Sequence, residues 1–351
     1  MPVANNTAMA EKTAVWRLPS QESRLRTIRR RALSVPAFLL AGHLALLTAP
    51  VLYVAALAID LPLRRSFATV RALAMLHVFL ACETAGILAT GWIWLARGRD
   101  RERYLESNFR LQCWWATTLY RAGIRIFSLR EEIEGSDAAA AGPLLVFSRH
   151  VSPIDNLLPA VLISGAHGLR LRWVINRSLL RDPCLDIVGN RLPNCFVAAG
   201  TSDSDAEIRR VETLGRDLGP RDGVLIFPEG ALFTPARRDR IIRRLEESPD
   251  SRLLQRALSF QNVLPPRLGG STALLEAARG VDVAFLAHTG LEGATEYRNI
   301  LNGGLIGRTI RVRIWRVPAA QVPASRDERT EWLFDQWRQL DDWVTANQQP
   351  Q

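Results

Sequence analysis

Two short polar segments carry side chains whose types and spacing suit catalysis. The first, 148–155, is Ser-Arg-His-Val-Ser-Pro-Ile-Asp, and the second, 225–230, is Leu-Ile-Phe-Pro-Glu-Gly. Each comes at the end of an apolar run, 144–147 and 224–227, that is typical of a buried strand. Open α/β proteins build their active sites from polar groups at the ends of such strands. The two segments therefore predict one candidate active site.

His150 and Asp155 are a candidate pair of base and supporting carboxylate. Ser152 is a good N-cap and Pro153 suits the first position of a helix, so we expect a helix to begin at Pro153. The Asp155 carboxylate then turns back toward the imidazole in the preceding loop, fixes one tautomer and leaves the other ring nitrogen as a base. The helix N-terminus favours the neutral imidazole that a base requires. The alternative is that Asp155 only caps the first helical turn.

The second segment, Phe227-Pro228-Glu229-Gly230, is predicted to end a strand in a tight turn. The proline ends the strand and the glycine permits a close backbone approach. This turn would project Glu229 at the sheet edge, beside the His150 loop. An ordinary strand-to-helix turn is the alternative, but a second polar segment in an equivalent position favours a shared site.

Beyond residue 104, short apolar runs alternate with longer amphipathic segments, which predicts an α/β fold with a mostly parallel sheet flanked by helices. The predicted strands are 124–129, 144–147, 172–175, 195–198, 224–227, 281–287 and 310–315. The predicted helices are 154–166, 178–188, 203–217, 236–247, 251–260, 271–279 and 327–345. The last, an amphipathic helix rich in tryptophan, is expected either to pack against the domain or to lie in a membrane interface.

Two long apolar runs, 36–59 and 72–96, precede this domain. Each is long enough to cross a bilayer, and together they predict an N-terminal hydrophobic two-helix hairpin. The chain then divides into a basic tail (1–33), a membrane hairpin (34–103) and an α/β domain (104–351) that ends in the amphipathic helix.

Arginines flank both outer ends of the hairpin, so the positive-inside rule puts the following domain on the cytoplasmic side of the cell membrane. Further arginines within 64–71 leave open a second arrangement, in which the hairpin dips into one leaflet. His43, His77 and Glu83 lie inside the apolar runs, where ionisable groups are costly. We expect them to face each other or a partner helix.

The chain has a net charge of +10 and a pI of about 10.5, with nearly all of the positive charge on arginine. Such a surface attracts nucleic acid or anionic lipid. The apolar runs and the lack of a nucleic-acid-binding motif argue against nucleic acid as a partner. The scattered histidines predict no metal site. The cysteines have no paired spacing and are expected to be buried thiols in a reducing compartment; they are Cys82, Cys113, Cys184 and Cys195.

Segments 150–155 and 227–230 resemble the H-x-x-x-x-D and F-P-E-G blocks of the lysophosphatidic acid acyltransferase (1-acylglycerol-3-phosphate acyltransferase) family. Segment 176–197 falls where that family has its second block. Segment 263–270 resembles the fourth block, in the L-P-R-x-x-G form of the branch that includes lysocardiolipin acyltransferases. The resemblance covers 111–287 and has the four blocks in order.

The resemblance implies transfer of a fatty acyl group from acyl-CoA or acyl carrier protein to a lysophospholipid hydroxyl, as in phospholipid biosynthesis or remodelling. The acyl donor is a co-substrate, and no cofactor is implied. His150 would remove the hydroxyl proton, Asp155 would support the imidazolium, and Glu229 would position the acceptor or the oxyanion. No serine or cysteine has a nucleophile setting, so transfer would be direct. The residues expected in substrate binding are Phe227, Pro228, Gly230, Arg177 and Arg267.

The sequence departs from the family at two arginines that are expected to hold the acceptor's phosphate. Leu232 stands where F-P-E-G-T-R has its arginine, and Ala199 stands at the end of the second block. Either other arginines take over, or the acceptor is a different lysophospholipid or a glycolipid. A non-catalytic lipid-binding membrane protein is a further alternative, against which the intact polar residues of the two segments argue. The arginines that could replace the missing pair are Arg177, Arg191, Arg237, Arg238 and Arg267.

Overall fold

The computed structural model describes residues 22–198, 204–247 and 251–348. Most of the predicted basic tail, the first residue of the helix predicted at 203–217, and Ala199 lie outside these residues. Three long helices come first, followed by an α/β domain. They are α1 (Arg24–Leu63), α2 (Ala68–Arg97) and α3 (Arg101–Ile126).

One seven-stranded sheet forms the centre of the domain, in the order β1-β7-β6-β2-β5-β3-β4. Every neighbouring pair is parallel except β6 with β7, so the predicted mostly parallel α/β sheet is confirmed. β2 and β5 are adjacent, which brings the ends of the two polar segments side by side. The strands are β1 (Arg130–Glu134), β2 (Leu144–Ser148), β3 (Arg170–Asn176), β4 (Cys195–Val197), β5 (Asp222–Ile226), β6 (Asp282–Thr289) and β7 (Thr309–Val317).

Helices cover both faces of the sheet because alternate residues of a strand point to opposite sides. Leu144 and Val146 of β2 enter one apolar core with residues of α3, whereas Leu145 and Phe147 enter a second core. The remaining helices are α4 (Leu157–Pro159, continued by a π-helical segment, Ala160–Gly165), α5 (Pro183–Arg191), α6 (Asp205–Leu214), α7 (Pro235–Glu246), α8 (Ser251–Ser259), α9 (Leu268–Ala277), α10 (Tyr297–Leu301) and α11 (Arg326–Asn347).

The strand predicted at 124–129 is wrong. Helix α3 continues to Ile126, and the first strand begins only at Arg130. The apolar residues that suggested a strand instead end the helix, where Phe127 is buried in the first core. A short apolar run does not distinguish a buried helix end from a strand.

The C-terminal helix α11 packs against the domain, which confirms one of the two arrangements expected for it. Trp337 and Phe334 are buried in the second core. The indole N–H of Trp337 also donates to the Leu264 carbonyl at 3.0 Å. Helix α11 therefore supports the segment that leads into α9.

The two apolar runs lie in α1 and α2, and both helices are long and apolar enough to cross a membrane. Helix α1 begins at Arg24, so the last arginines of the predicted tail are helical. Asp60, buried near the end of α1, accepts from the backbone N–H groups of Thr69 (3.1 Å) and Val70 (2.9 Å). Asp60 thereby provides acceptors for the N–H groups in the first turn of α2, which is the role of an N-cap residue.

Helix α2 lies along the domain and contacts it near both ends. Near the first end, the Arg71 guanidinium donates to the Ile126 carbonyl and to Ser128 Oγ. Near the second end, the Thr90 carbonyl accepts from the Arg191 guanidinium at 2.9 Å. The hairpin is therefore fixed beside the domain rather than projecting away from it.

A polar junction, here called the hairpin seam, joins α1 and α2 to the N-terminal half of α5 and consists of Arg30, Arg31, Glu83, Cys184 and Asp186. Arg30 and Arg31 both hold the fully buried Asp186 carboxylate. The Glu83 carboxylate accepts from the backbone N–H of Cys184 at 3.2 Å and from an indole N–H of α3 at 2.8 Å.

The ionisable residues inside the apolar runs have different surroundings. Glu83 faces partner helices, as predicted. His77 of α2 also faces a partner, because its Nε2 lies 3.1 Å from the Ala45 carbonyl of α1. His43 instead contacts the Leu39 carbonyl of its own helix.

Of the cysteines, Cys113 is half-buried and the other three are buried, and none of the four is in a disulfide.

Candidate active site

The loops after β2 and β5 meet at the carboxyl edge of the sheet, where the predicted catalytic residues come together. Glu229 Oε1 accepts from the backbone N–H of His150 at 2.7 Å. The backbone N–H of Phe233 donates to the His150 carbonyl at 2.7 Å. The loop after β5 therefore holds both sides of the His150 backbone.

The His150 imidazole is held between an aromatic ring and a carboxylate. It stacks on Phe227, with ring centroids 4.3 Å apart and an interplanar angle of 29°. Its Nδ1 is buried and lies 3.4 Å from Asp155 Oδ2, longer than a good hydrogen bond but within ion-pair distance once the ring is protonated. The side chain remains 18% exposed, which leaves Nε2 as the ring nitrogen open to a substrate hydroxyl.

Asp155 is fully buried and ties its own loop together. Its carboxylate accepts from the N–H groups of Val151 (2.5 Å) and Ser152 (2.8 Å) and from Ser152 Oγ (2.5 Å). Burial opposes the charge, but two neighbouring imidazoles and these donors outweigh it and lower the pKa of Asp155 below its ordinary value.

The helix predicted to begin at Pro153 begins only at Leu157, and turns occupy 151–156. The physical reason is the Asp155 carboxylate. This carboxylate accepts hydrogen bonds from the local backbone N–H groups and so stabilises a loop. The Ser152 hydroxyl also donates to it instead of capping a helix. The predicted approach of Asp155 to His150 therefore occurs in a turn and not across a helix N-terminus.

Glu229 joins two loops rather than pointing into open space. Its second oxygen, Oε2, accepts from the backbone N–H of Leu264 at 2.8 Å, and the side chain is almost fully buried. Burial raises the pKa of Glu229 to about 8, whereas the N–H donors on its two oxygens favour the carboxylate. The carboxylate therefore links the His150 loop to the predicted fourth block.

The turn formed by residues 227–230, here called the F-P-E-G turn, is covered by Arg267. Gly230 has a φ of +64°, a left-handed conformation that favours glycine. A Cβ at Gly230 would lie 2.7 Å from Cδ of Arg267, so the arginine packs directly on this glycine. The Arg267 backbone N–H also donates to the Pro228 carbonyl at 2.8 Å.

Three of the other arginines suggested by the sequence lie away from this turn. Arg177, after β3, is directed toward β4 and α6, where its guanidinium is 3.4 Å from the Phe196 carbonyl and 3.9 Å from Glu207. Arg191 contacts the hairpin. Arg238 donates to the Phe260 carbonyl at 2.6 Å. The structure therefore brings Arg267 to the F-P-E-G turn and does not bring Arg177 there.

Leu232, at the position of the expected motif arginine, is two residues beyond the F-P-E-G turn. Its side chain is half-buried, and its carbonyl accepts from the Arg237 guanidinium. Arg237 therefore folds back onto the segment that lacks the motif arginine.

Sequence reasoning missed two residues beside this site, Arg149 and His288. Both are fully buried. Arg149 donates to the His288 carbonyl (2.6 Å) and to Glu292 Oε1 (2.7 Å). The sequence contained a signal for His288, because a histidine follows the apolar run 281–287 and the carboxyl ends of parallel strands share one edge.

Among the described residues, no group of three or more His, Cys, Asp or Glu side chains is arranged to hold a metal ion.

Comparison with solved structures finds a similar fold in the 1-acyl-sn-glycerophosphate (LPA) acyltransferase PlsC from Thermotoga maritima. The TM-score is 0.52 at 15% sequence identity, and the match covers 81% of this chain and 100% of that one. No family model and no curated protein sequence matches the chain. At this identity the likeness shows the fold alone: the protein shares its fold with this solved acyltransferase.

Proposed function

We propose that this protein is a membrane-associated acyltransferase that moves a fatty acyl group from acyl-CoA or acyl carrier protein to the hydroxyl of a lysophospholipid. One observation carries the proposal. In a fold shared with an LPA acyltransferase, His150 lies at a strand end with Nδ1 3.4 Å from a buried carboxylate and Nε2 open to a substrate.

The reaction follows from this geometry. The acceptor oxygen attacks the thioester carbonyl while its proton passes to Nε2 of His150. Asp155, beside Nδ1, stabilises the imidazolium that forms. The tetrahedral intermediate then collapses, the carbon–sulfur bond breaks, and the imidazolium proton passes to the departing thiolate. The products are the ester and the free thiol, without an acyl-enzyme.

Glu229 acts in this proposal as a positioning residue rather than through direct contact with the acceptor. Both of its oxygens accept from backbone N–H groups of the protein. The N–H of Gly230 is also engaged, because it donates to the Phe227 carbonyl at 3.0 Å. The effect of Glu229 on the reaction is therefore transmitted through the His150 backbone.

We propose 1-acylglycerol-3-phosphate as the acceptor, with its phosphate bound by Arg267. This arginine covers the F-P-E-G turn, two residues before the position where the family has its phosphate-binding arginine. A planar guanidinium pairs well with phosphate oxygens. The second candidate is an acceptor without a phosphate at this position, which the apolar side chain of Leu232 favours.

We propose further that the hairpin lies along one leaflet on the cytoplasmic side. Contacts with the domain at residues 71 and 90 of α2 are 19 residues apart, or about 28 Å at 1.5 Å per residue. A hairpin that crossed a hydrocarbon core of about 30 Å would carry the domain into the lipid with it. The outer face of α1 is apolar and exposed over Leu40, Leu47, Val51 and Val54.

The test is acyl transfer by detergent-solubilised protein with radiolabelled acyl-CoA or acyl carrier protein. The acceptors are lysophosphatidic acid, other lysophospholipids and a glycolipid. We expect transfer to lysophosphatidic acid that is lost in His150→Ala, with a KM for this acceptor that rises in Arg267→Ala. Arg110→Ala, at an exposed arginine of α3, is the matched control and should leave KM unchanged.

Other outcomes select between the alternatives. Transfer only to a phosphate-free acceptor, with no effect of Arg267→Ala, would favour the second candidate. The absence of His150-dependent transfer with either donor and every acceptor would reject the enzyme proposal and leave a lipid-binding protein that retains the fold.

A further inference from the structure

A second histidine lies beside the His150–Asp155 pair, on the buried side. His288, near the carboxyl end of β6, is fully buried, and its Nε2 is 3.1 Å from the Arg149 carbonyl and 3.6 Å from Asp155 Oδ2. The same carboxylate oxygen is 3.4 Å from Nδ1 of His150. Asp155 therefore lies between two imidazoles, one buried and one partly exposed.

The contacts of His288 define its protonation state. Nε2 faces a carbonyl and must carry the hydrogen that it donates to Arg149. Nδ1 is buried and has no hydrogen-bond partner among the described residues, so a second proton there would be an unsatisfied buried N–H. Burial, assisted by the Arg149 charge, lowers the pKa of His288. The ring is therefore neutral, and its one N–H group, which donates to the Arg149 carbonyl, lies 3.6 Å from Asp155 Oδ2.

An ion pair between the buried Arg149 and the half-buried Glu292 holds this arrangement in place. The Arg149 guanidinium donates to the His288 carbonyl, to the Glu292 carboxylate and to the Asn262 carbonyl at 3.1 Å. The loop containing Asn262 is in turn held by the Asp341 carboxylate of α11, which accepts from the Asn262 N–H at 2.7 Å. Arg149 thus places a positive charge beside the backbone of His288.

The charged and titratable groups around this cluster come from four elements. The loop after β2 supplies His150, Asp155 and Arg149, and β6 with its following loop supplies His288 and Glu292. The loop after β5 supplies Glu229, and α11 supplies Asp341, both of which are within electrostatic range of the cluster. Asp155 is the carboxylate that both imidazoles approach.

We propose that His288 is a positioning residue for acyl transfer: its N–H holds the Arg149 carbonyl next to His150 and lies beside the Asp155 carboxylate, and the Arg149 charge keeps its ring neutral. This inference rests on the proposed function. No part of the H-x-x-x-x-D or F-P-E-G pattern includes His288, and its contact with Asp155 joins strands β6 and β2.

The test is the pH dependence of kcat/KM in His288→Phe and His288→Gln. Phenylalanine keeps the ring and removes the N–H, so the Asp155 charge acts more strongly on His150 and holds it protonated to higher pH. We expect the acidic limb of the profile to move up by about one pH unit, with kcat lowered about tenfold and KM unchanged. Glutamine restores an N–H donor and should return the limb toward its original position.

Glu292→Gln provides a test of opposite sign. This change removes a negative charge and leaves Arg149 less compensated, so the acidic limb should move to lower pH. Equal shifts in the same direction for His288→Phe and Glu292→Gln would overturn the proposal. So would a His288→Phe protein that loses thermal stability or folded fraction but keeps the pH profile and kcat per folded molecule, because His288 would then be a packing residue.

A second readout separates this inference from the proposed function. NMR titration of the His150 imidazole, in isotope-labelled protein, reports its midpoint without any turnover. We expect the midpoint to rise in His288→Phe and to fall in Glu292→Gln even if no acyl acceptor is found. An unchanged midpoint in both variants, in a protein that catalyses His150-dependent transfer, would refute the role of His288 and leave the enzyme proposal intact.

Discussion

The hairpin seam and the candidate active site both bury carboxylates, but they pair them differently. In the seam, Asp186 accepts two hydrogen bonds from Arg30 (3.0 and 2.9 Å) and two from Arg31 (3.2 and 3.1 Å). In the candidate active site, Asp155 is equally buried, yet its partner His150 keeps one ring nitrogen open.

This difference separates a structural use of buried charge from a chemical one. A buried carboxylate whose partners are fully engaged mainly fixes the position of the elements that it joins. A buried carboxylate beside a titratable group with an open nitrogen can support a change of charge during a reaction. Substitutions at the two places should therefore have different consequences for turnover and for stability.

The largest expected effect is that of His150→Ala on turnover. Removing the proposed base should lower kcat by about 10³-fold, since general base catalysis contributes roughly 10²–10⁴-fold. The side chain is near the surface, so thermal unfolding in detergent should change little. A variant that keeps more than a tenth of the wild-type kcat would contradict the assignment of the base.

Glu229→Gln should have the next largest effect on turnover. The amide keeps one acceptor and turns an NH₂ group toward either the His150 or the Leu264 N–H, so one of the two loop contacts is lost. We expect kcat to fall by about 10²-fold through misplacement of the His150 loop. Steady-state kinetics with saturating acceptor checks this, and a change confined to KM would point instead to direct contact with the acceptor.

The same residue should also affect how stability depends on pH. The pKa of Glu229 is raised from 4.5 to about 8 by burial, so the folded state binds this proton more tightly than the unfolded state. Its contribution is full below pH 4.5 and is lost as pH rises toward about 8. Comparing the Tm of wild type and Glu229→Gln across this range should show a steeper decline in the wild type. Parallel Tm curves would be inconsistent with the raised pKa.

Asp186→Asn should have the reverse pattern, with a large effect on stability and a small effect on kcat. The change leaves Arg30 and Arg31 without their buried counter-charge. Both arginines are partly exposed, so we expect a loss of about 1–3 kcal/mol in unfolding free energy, below the range for a fully buried pair. Denaturant unfolding and kcat are measured on the same preparation. A fall in kcat of more than about threefold would instead resemble the effect of an active-site substitution. It would mean that the hairpin seam is coupled to catalysis.

The smallest effect is expected for Glu106→Gln on the exposed face of α3. Glu106 pairs with Arg110 four residues later at 3.0 Å, and the arginine side chain is 77% exposed. Such a pair contributes below about 0.5 kcal/mol, and neither kcat nor Tm should change measurably. This variant defines the baseline against which the seam and site variants are judged.

The central strands and the proximity of the two polar segments could be predicted from the sequence because both depend on local pattern. Apolar runs predict buried strands, and parallel strands end at one edge. The helix start after His150 could not be predicted, because the Asp155 carboxylate competes with the helix for local N–H groups. Glu83 illustrates a second limit: its partners in α3 and α5 are distant in sequence and are set by tertiary packing alone.

The position of Glu83 bears on the order in which the molecule is assembled. The groups that donate to it, Trp115 and Cys184, come later in the chain, so α2 leaves the ribosome before this carboxylate can be paired. Inserting α2 alone into a bilayer would cost about 2.5–3.5 kcal/mol for this group. We therefore expect the contacts of α3 and α5 with Glu83 to lower the cost of holding α2 at the membrane in the proposed arrangement, so that folding of the domain and placement of the hairpin are coupled.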